Sequence, residues 1–166
     1  MNQLISSAET LYGDLLRGVE GWRGASTQWV GIASGGAWLA RRMQHDWGLD
    51  KIGIISSSMH RDDYLRRGSK SASTRAETTD LPFDVTGAHI VLIDDVLYTG
   101  RTIRAVLNEL FDYGRPASVR LAVLVDRGGR ELPLQADFAA TTKLLSPNQS
   151  MTLSKNIDGT FAFDIT

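Results

Sequence analysis

The stretch Ile90–Leu110, IVLIDDVLYTGRTIRAVLNEL, joins an apolar run, two adjacent carboxylates and a turn sequence without a break. The run before Asp94 is typical of a buried strand, and the sequence TGRT is typical of a turn that opens a helix. Asp94 and Asp95 carry like charges, which repel each other unless a cation or hydroxyl groups lie between them. The stretch therefore predicts a strand, a turn and a helix, with a ligand beside the two carboxylates.

Apolar runs alternate with helical spacing on both sides of this stretch. The expected elements are a helix through Leu4, Ala8, Leu11 and Leu15 that closes near Gly18, a strand Thr27–Ala33, a helix Ala37–Trp47, a strand Lys51–Ser58, the strand and helix of Ile90–Leu110, and a strand Ser118–Val125. Gly114 and Pro116 favour an end of the third helix there. Because strands joined through helices run parallel with right-handed crossovers, we expect an α/β fold, a mainly parallel Rossmann-like sheet with flanking helices.

Two segments fall outside this alternation. Asp62–Asp80 is long, polar and poor in apolar anchors, so we expect a mobile loop, which in a compact domain is either a lid or disordered. Near the C-terminus, Asp158 and Gly159 stand between two short alternating runs and predict a hairpin. With 166 residues the chain has the size of a single domain, 1–166.

The composition is that of an ordinary globular protein, with 42% hydrophobic residues, 22% charged residues and a net charge of −1. No apolar run approaches the roughly 20 residues that cross a bilayer, and the N-terminus lacks the pattern of a secretory signal, so we expect no membrane association and a cytoplasmic location. The absence of cysteine excludes disulfides and thiol catalysis. Because the net charge is near zero, nucleic-acid binding would need a local basic patch.

In an open parallel sheet, ligands bind where the strands deliver their C-terminal ends. The turn Tyr98–Thr102 leads into a helix whose first N–H groups have no partner within the helix, so a phosphate can accept their hydrogen bonds. Gly100 permits close approach of the backbone, and Thr99 and Thr102 add hydroxyl donors. Ser34–Gly36 opens another helix after a strand and can bind a pyrophosphate in the same way.

The two carboxylates come just before the first of these phosphate sites along the chain. They can accept hydrogen bonds from the vicinal hydroxyls of a ribose or hold a magnesium-bound sugar. Acidic groups beneath the ring would also stabilise the cation-like ribose that forms when pyrophosphate leaves its carbon. Structural alternatives remain open: Ser34–Gly36 as a plain tight turn, and Asp94 and Asp95 as a capping or solvated pair. The competing motifs Gly-x-x-x-x-Gly-Lys-Ser/Thr and Gly-x-Gly-x-x-Gly are missing from the sequence.

VLIDDVLYTGRT, Val91–Thr102, resembles the phosphoribosyl pyrophosphate signature of the type I phosphoribosyltransferases. Asp94–Asp137 is similar to the pyrimidine operon regulator and uracil phosphoribosyltransferase family, PyrR, as are HRDD at His60–Asp63 and WVGIASGGAWLA at Trp29–Ala40. The resemblance implies a type I phosphoribosyltransferase fold, with residues 138–166 in a small hood or a C-terminal hairpin. It also implies dependence on Mg²⁺ and conversion of uracil and phosphoribosyl pyrophosphate to UMP and pyrophosphate.

Carried over residue by residue, the resemblance gives each segment a role. Asp94, Asp95 and Arg61 would be catalytic. The two carboxylates would hold the ribose hydroxyls and the metal, and Arg61 would contact the pyrophosphate or the base from the loop. The other implied contacts are those of the 5′-phosphate with Val96, Leu97, Tyr98, Thr99, Gly100, Arg101 and Thr102, those of the pyrophosphate with Ser34, Gly35 and Gly36, and those of the base with Val125, Asp126 and Arg127.

The chain departs from the family pattern at several positions. Gly35 stands where the family often has a basic residue, and Ser56–Ser58 replaces an acidic strand end. Gly129 and Gln135 stand where the family has histidine and arginine, and the sequence beyond Phe138 does not follow the family. The family pattern therefore fades towards the tail, which in the family completes the base pocket.

Three classes of function use such a sugar-phosphate site. The first is an enzyme, a uracil phosphoribosyltransferase. The second is an RNA-binding regulator of pyrimidine genes, with UMP as effector and leader RNA as partner. Its basic face could include Arg115, Arg120, Arg127 and Arg130, unless these are solvated or substrate-facing. The third is a nucleotide-sensing partner of another pyrimidine enzyme. Families of this fold commonly pair through exposed surfaces, so we expect a homo-oligomer.

Overall fold

The computed structural model describes residues 6–56 and 77–166. Several predictions lie outside these residues: those for Leu4, for the end of the strand at Ser57 and Ser58, for Arg61, and for the greater part of the loop Asp62–Asp80. In the part of the chain that is described, no helix combines the length and the apolar character needed to span a membrane.

Five parallel strands form the central sheet, in the order β2-β1-β3-β4-β5. The strands are β1 (Thr27–Ile32), β2 (Gly53–Ile55), β3 (His89–Leu97), β4 (Ser118–Asp126) and β5 (Phe138–Thr142). Their apolar runs are buried, as expected of strands that are covered on both faces. The predicted α/β fold with a mainly parallel sheet is confirmed.

Three helices cover the two faces of the sheet: α1 (Ala8–Val19), α2 (Gly35–Trp47) and α3 (Arg101–Tyr113). A short 3₁₀ helix, Glu20–Trp22, follows α1. The buried residues of α1 recur at spacings of three and four, which confirms the predicted amphipathic helix. Helices α1 and α2 share one apolar core with the C-terminal segment, and α3 packs into a second core on the other face.

The structure differs from the predicted elements in several places. Strand β2 starts only at Gly53 and ends at Ile55, and is therefore shorter than the predicted strand Lys51–Ser58. Strand β3 does not end before the carboxylates but continues through Asp94 and Asp95 to Leu97, because β4 pairs with it as far as Leu97 and Asp126. Strand β5 was not predicted, since FAATT contains one large apolar residue and lies half-buried at the edge of the sheet. The last residue of the predicted loop, Asp80, forms an antiparallel bridge with Ile54 of β2 through two hydrogen bonds of 2.8 Å.

The C-terminal hairpin is confirmed. Strands β6 (Met151–Lys155) and β7 (Phe161–Ile165) pair antiparallel around the turn at Asp158 and Gly159, where Gly159 has a φ of 86°. Met151, Leu153 and Phe161 are buried in the core shared with α1 and α2. The hairpin is therefore an integral part of the packed domain.

Arg42 of α2 joins this hairpin to α1. Its guanidinium lies 4.4 Å from the ring centroid of Tyr12 and 5.1 Å from that of Phe161, and it donates to Glu9 Oε1 at 2.7 Å. The same Glu9 oxygen accepts the backbone N–H of Phe161 at 2.7 Å. The phenol of Tyr12 donates to Asp46 at 2.7 Å, and burial together with that carboxylate raises the pKa of Tyr12. One cation thus connects three elements.

We predict that Arg42→Ala lowers the free energy of unfolding by about 2 kcal/mol, because it removes two cation–π contacts and a charged hydrogen bond. The matched control is Arg17→Ala on α1, whose side chain is 72% exposed and pairs only with Asp14 at the surface. That control should cost less than about 1 kcal/mol. Chemical denaturation measures the free energy of unfolding of both variants. Equal losses of stability in the two variants would contradict the role of Arg42 in joining the hairpin to α1.

The contribution of Arg42 should depend on pH. Its hydrogen bond to Glu9 holds the pKa of that carboxyl below its ordinary value. A depressed folded-state pKa stabilises the fold above the ordinary glutamate pKa of about 4.3, and this stabilisation is lost as the pH falls through the lower folded-state value. The difference in stability between wild type and Arg42→Ala should therefore shrink below about pH 4. A difference that stays constant between pH 7 and pH 3 would show that the carboxylate does not contribute.

Candidate functional site

The loops that follow β1 and β3 meet at the C-terminal edge of the sheet. Helix α2 starts at Gly35 directly after β1, and its first turn packs on β3. A Cβ added at Gly36 would lie 2.1 Å from the carbonyl oxygen of Ile93 and 3.0 Å from the Cα of Asp94. Only a glycine permits this approach, so the loop Ser34–Gly36 is held against the carboxylates of β3.

Gly35 provides the space that Asp95 occupies. A Cβ added at Gly35 would lie 2.5 Å from Oδ2 of Asp95 and 2.7 Å from its Cγ. Ser34 precedes the helix without a side-chain cap, and the peptide bond between Ala33 and Ser34 is cis. The predicted pyrophosphate loop and the predicted ribose carboxylate are therefore direct neighbours.

The repulsion between Asp94 and Asp95 is relieved within the protein. Because side chains alternate along a strand, the two carboxylates leave β3 on opposite sides. Each also accepts a backbone N–H: Asp94 from Asp95 at 2.9 Å, and Asp95 from Val96 at 2.9 Å. Asp94 is buried, with 6% of its surface exposed, and Asp95 is half-buried. Asp95 is thus the carboxylate that is open to a ligand beside Gly35.

The predicted phosphate loop forms a tight turn between β3 and α3. Gly100 stands at the N-terminus of α3 with a φ of 92°, which favours glycine, and Thr99 Oγ1 accepts the N–H of Arg101 at 3.2 Å. Helix α3 begins at Arg101, so the N–H groups of its first turn have no acceptor within the helix. This is the geometry that binds phosphate at a helix N-terminus.

The end of β4 supplies the third set of predicted residues. Val125 is fully buried, and the Asp126 carboxylate accepts the N–H of Gly128 and forms a 2.6 Å ion pair with Arg130. Arg127 is only 5% exposed; its guanidinium lies 3.8 Å from the ring centroid of Tyr98 and donates to the carbonyl of Ser146 at 3.2 Å. Within residues 6–56 and 77–166, the Nε of Arg127 has no hydrogen-bond partner.

Residues after β5 reach this end of the sheet, and sequence reasoning missed them. Besides Ser146, the side chain of Leu144 lies here, because a Cβ added at Gly128 would be 2.6 Å from it. Leu144 is 75% exposed. The sequence offered no pattern that marks this segment, because the strand before it, β5, was itself not predicted.

The four arginines of the predicted basic face do not lie together. Arg115 and Arg120 are exposed near the start of β4, whereas Arg127 and Arg130 follow its end. Six residues of β4 lie between Arg120 and Arg127, and seven steps of about 3.3 Å place the two residues roughly 20 Å apart. Arg120 stacks on Trp22, and Arg127 is buried. The structure therefore does not support one patch made of all four.

The carboxylates fit a magnesium ion only with help from a substrate. In the described residues no group of three or more histidine or acidic side chains converges. Mg²⁺ commonly binds through one or two carboxylates and takes its other oxygens from substrate phosphates and water. Asp94 and Asp95 have the chemistry for that arrangement.

A groove lies at the other end of the sheet, where β1 and β2 begin. It has a volume of about 550 Å³ and is lined by Arg23, Gly24, Trp29, Leu49, Lys51 and their neighbours. In open parallel sheets, ligands bind at the opposite, C-terminal edge. The groove is therefore separate from the loops described above.

Residues 27–152 match the phosphoribosyl transferase domain family. The chain belongs to this family. Within it, the chain is 50% identical over 133 residues to the bifunctional protein PyrR of Ralstonia nicotianae, covering 80% of this chain and 75% of the relative. It is 48% identical over 128 residues to the PyrR protein of Nitrosococcus oceani, covering 75% of this chain and 71% of the relative. The chain is thus a phosphoribosyltransferase of the PyrR family.

Solved phosphoribosyltransferases have the same fold. A hypoxanthine-guanine phosphoribosyltransferase of Bacillus anthracis superposes with a TM-score of 0.61 at 18% identity, covering 90% of this chain and 86% of the other. The corresponding enzyme of Leishmania tarentolae gives a TM-score of 0.59 at 16% identity, covering 87% of this chain and 83% of the other. At this level of identity the comparison supports the fold.

We predict that Gly35→Ala weakens the binding of phosphoribosyl pyrophosphate about tenfold, equivalent to about 1.4 kcal/mol, because its Cβ displaces the Asp95 carboxylate. Gly21→Ala is the control, since a Cβ there meets nothing within 4 Å. Titration calorimetry measures affinity, and thermal melting separates loss of binding from loss of fold. If Gly35→Ala binds as tightly as wild type, the space at Gly35 is unimportant for the ligand.

Proposed function

We propose that this phosphoribosyltransferase converts uracil and phosphoribosyl pyrophosphate to UMP and pyrophosphate, and that UMP also controls its action as a regulator of pyrimidine biosynthesis genes. The observation that carries the proposal is that α2 and α3 both start after neighbouring parallel strands, at the same edge of the sheet, with Asp95 against Gly35 at the start of α2. Two phosphate sites and a carboxylate at one edge suit a ribose that carries a phosphate at one end and a pyrophosphate at the other. The similarity to PyrR proteins supports the choice of uracil.

The proposal assigns a substrate group to each segment. Val96–Thr102 binds the 5′-phosphate through backbone N–H groups and threonine hydroxyls, and Ser34–Gly36 binds the pyrophosphate. Asp95, which lies beside Gly35, faces the ribose and would help to hold Mg²⁺, which would neutralise part of the pyrophosphate charge. The roles predicted for Asp94 at the ribose and the metal are not supported by its buried position on the other side of β3. Arg61, which lies outside the described residues, contacts the pyrophosphate or the base in this proposal.

The carboxylates have a chemical role in the bond exchange. As the bond from ribose C1′ to the pyrophosphate oxygen breaks, its electron pair leaves with pyrophosphate and positive charge develops on the ring. A fixed carboxylate beside the ring stabilises this charge, which is greater in the transition state than in the ground state. The uracil nitrogen then forms its bond to C1′ and releases its proton to water.

Arg127 supports a base site at the end of β4. A buried guanidinium is costly unless its donors are used, and its Nε has no partner in the described part of the chain. A carbonyl oxygen of the base is a suitable acceptor. Together with Val125 and Asp126, Arg127 would define the base side of the site, while Tyr98 holds the guanidinium in place from the opposite face.

A regulatory role is supported by the name of the relatives, which are called bifunctional. The regulator would bind leader RNA of a pyrimidine operon when UMP occupies the site. Because the four arginines lie at two ends of β4, an RNA surface would use either Arg115 and Arg120 or other residues. The homo-oligomer, the cytoplasmic location and the alternative of a nucleotide-sensing partner of another pyrimidine enzyme remain predictions.

The enzyme proposal predicts that purified protein with Mg²⁺, uracil and phosphoribosyl pyrophosphate forms UMP. Asp95→Asn should lower kcat/KM about 10³-fold, since losing one group that stabilises transition-state charge typically costs 10² to 10³. Asp112→Asn, an exposed carboxylate on α3, is the matched control and should react like wild type. Wild-type protein that turns over neither uracil nor any other nucleobase would rule out the proposal.

The regulator proposal predicts sequence-selective RNA binding. The affinity for pyrimidine-operon leader RNA should rise when UMP is added. The logarithm of the binding constant should fall linearly with the logarithm of the salt concentration, because phosphate contacts release counterions. Filter binding at several salt concentrations measures both, with a scrambled RNA of equal length as control. Equal affinity for the two RNAs in the presence of UMP would argue against regulation through RNA.

A further inference from the structure

The segment Asp126–Leu134, here called the clamp segment, wraps around the outer side of the predicted phosphate loop. Three of its backbone N–H groups donate to carbonyls of that loop: Arg127 to Leu97 at 3.0 Å, and Glu131 and Leu132 to Thr99 at 2.9 and 3.2 Å. The Arg130 side chain donates to the carbonyl between these two, that of Tyr98. Three consecutive carbonyls, those of residues 97 to 99, are therefore held by the clamp segment.

The direction of these carbonyls decides where the loop N–H groups point. In a planar trans peptide the C=O and the following N–H point in opposite directions. Because the carbonyls of residues 97 to 99 face the clamp segment, the N–H groups of Tyr98, Thr99 and Gly100 face away from it. Carbonyl oxygens repel an anion and N–H groups attract it, so this orientation prepares the loop for a phosphate before the ligand arrives.

Arg130 differs from the other donors because it acts through its side chain. Besides the Tyr98 carbonyl, its guanidinium donates to the carbonyl of Leu134 at 2.6 Å and forms a 2.6 Å ion pair with Asp126. Its side chain is 21% exposed. These contacts fix the guanidinium, and through it the peptide between Tyr98 and Thr99.

Gly129 allows Arg130 to reach this position. It has a φ of 73°, and a Cβ there would lie 2.4 Å from the ring of Tyr98. The backbone can therefore pass close to the aromatic ring only with glycine at this residue. A second ion pair, Arg101 with Glu131 at 2.7 Å, joins the clamp segment to the first residue of α3.

We infer that Arg130 is a positioning residue of the phosphate loop: it holds the Tyr98 carbonyl outward so that the Thr99 N–H faces the 5′-phosphate of a phosphoribosyl ligand. The inference rests on the proposed phosphate site. It assigns Arg130 a task inside the protein, because its donors are committed to Tyr98, Leu134 and Asp126. Arg130 does not touch the ligand in this role.

The test compares two ligand fragments that bind to different loops. Ribose 5-phosphate reports on the loop that Arg130 holds, and inorganic pyrophosphate reports on Ser34–Gly36, which Arg130 does not contact. Arg130→Met keeps the length of the side chain but removes its donors. Arg17→Met, an exposed arginine on α1, is the matched control. Titration calorimetry measures Kd for both fragments, and melting temperatures report on the fold.

Arg130→Met should raise Kd for ribose 5-phosphate at least tenfold and leave Kd for pyrophosphate within twofold of wild type. Arg130→Lys keeps the charge but cannot reach all three acceptors, so its Kd for ribose 5-phosphate should lie between those of Arg130→Met and wild type. Arg17→Met should match wild type for both fragments. If Arg130→Met does not fold, the Arg130→Lys comparison decides.

Three results would overturn the inference. Unchanged ribose 5-phosphate binding in the Arg130 variants would show that the loop does not need this side chain. Equal weakening of both fragments would show a general structural effect. If wild-type protein binds pyrophosphate but not ribose 5-phosphate, the proposed 5′-phosphate site fails together with the inference. If wild type binds both fragments but makes no UMP, and Arg130→Met loses ribose 5-phosphate binding, the inference stands and only the proposed reaction is overturned.

Discussion

The close approach of α2 to the central strands determines where everything else in the site lies. A Cβ at Gly31 would lie 2.5 Å from the carbonyl oxygen of Gly36 and 2.7 Å from the Cα of Ala37, and a Cβ at Gly36 would lie 2.1 Å from the carbonyl oxygen of Ile93. The contact is therefore one of backbone against backbone. Because it leaves no room for side chains, it brings the start of α2 beside the end of β3 and places Gly35 over Asp95.

Two kinds of electrostatic preparation follow from this arrangement. The helix N-termini present N–H groups where negative charge is expected. The N–H groups of residues 98 to 100 do the same, because the carbonyls of residues 97 to 99 are held on the other side of the loop. The carboxylate of Asp95 lies beside Gly35 at the start of α2, where in the proposed reaction a ribose would carry positive charge. In this arrangement backbone N–H groups would bind the phosphates and the acidic side chain would contact the sugar, which fits the chemistry of a phosphoribosyltransferase.

The sequence alone predicted the unit from β3 to α3, because an apolar run, a glycine turn and an amphipathic helix are local patterns. It did not predict that β3 continues through Asp95, since that depends on pairing with β4 as far as Asp126. It also missed β5 and the residues that follow it, because Phe138–Thr142 is a half-buried edge strand with little apolar pattern. The contacts of Arg130 could not be predicted from the sequence, because they depend on the path of the chain after β4.

The N–H groups of residues 98 to 102 should bind the 5′-phosphate, and those of Ser34–Gly36 should bind pyrophosphate. Amide chemical shifts measured by ¹⁵N NMR during titration with each fragment distinguish the two loops. Ribose 5-phosphate should perturb the first set of N–H groups and pyrophosphate the second, while the groove at Arg23 and Lys51 stays unchanged. Perturbations by both ligands at that groove, with none in the two loops, would contradict this assignment.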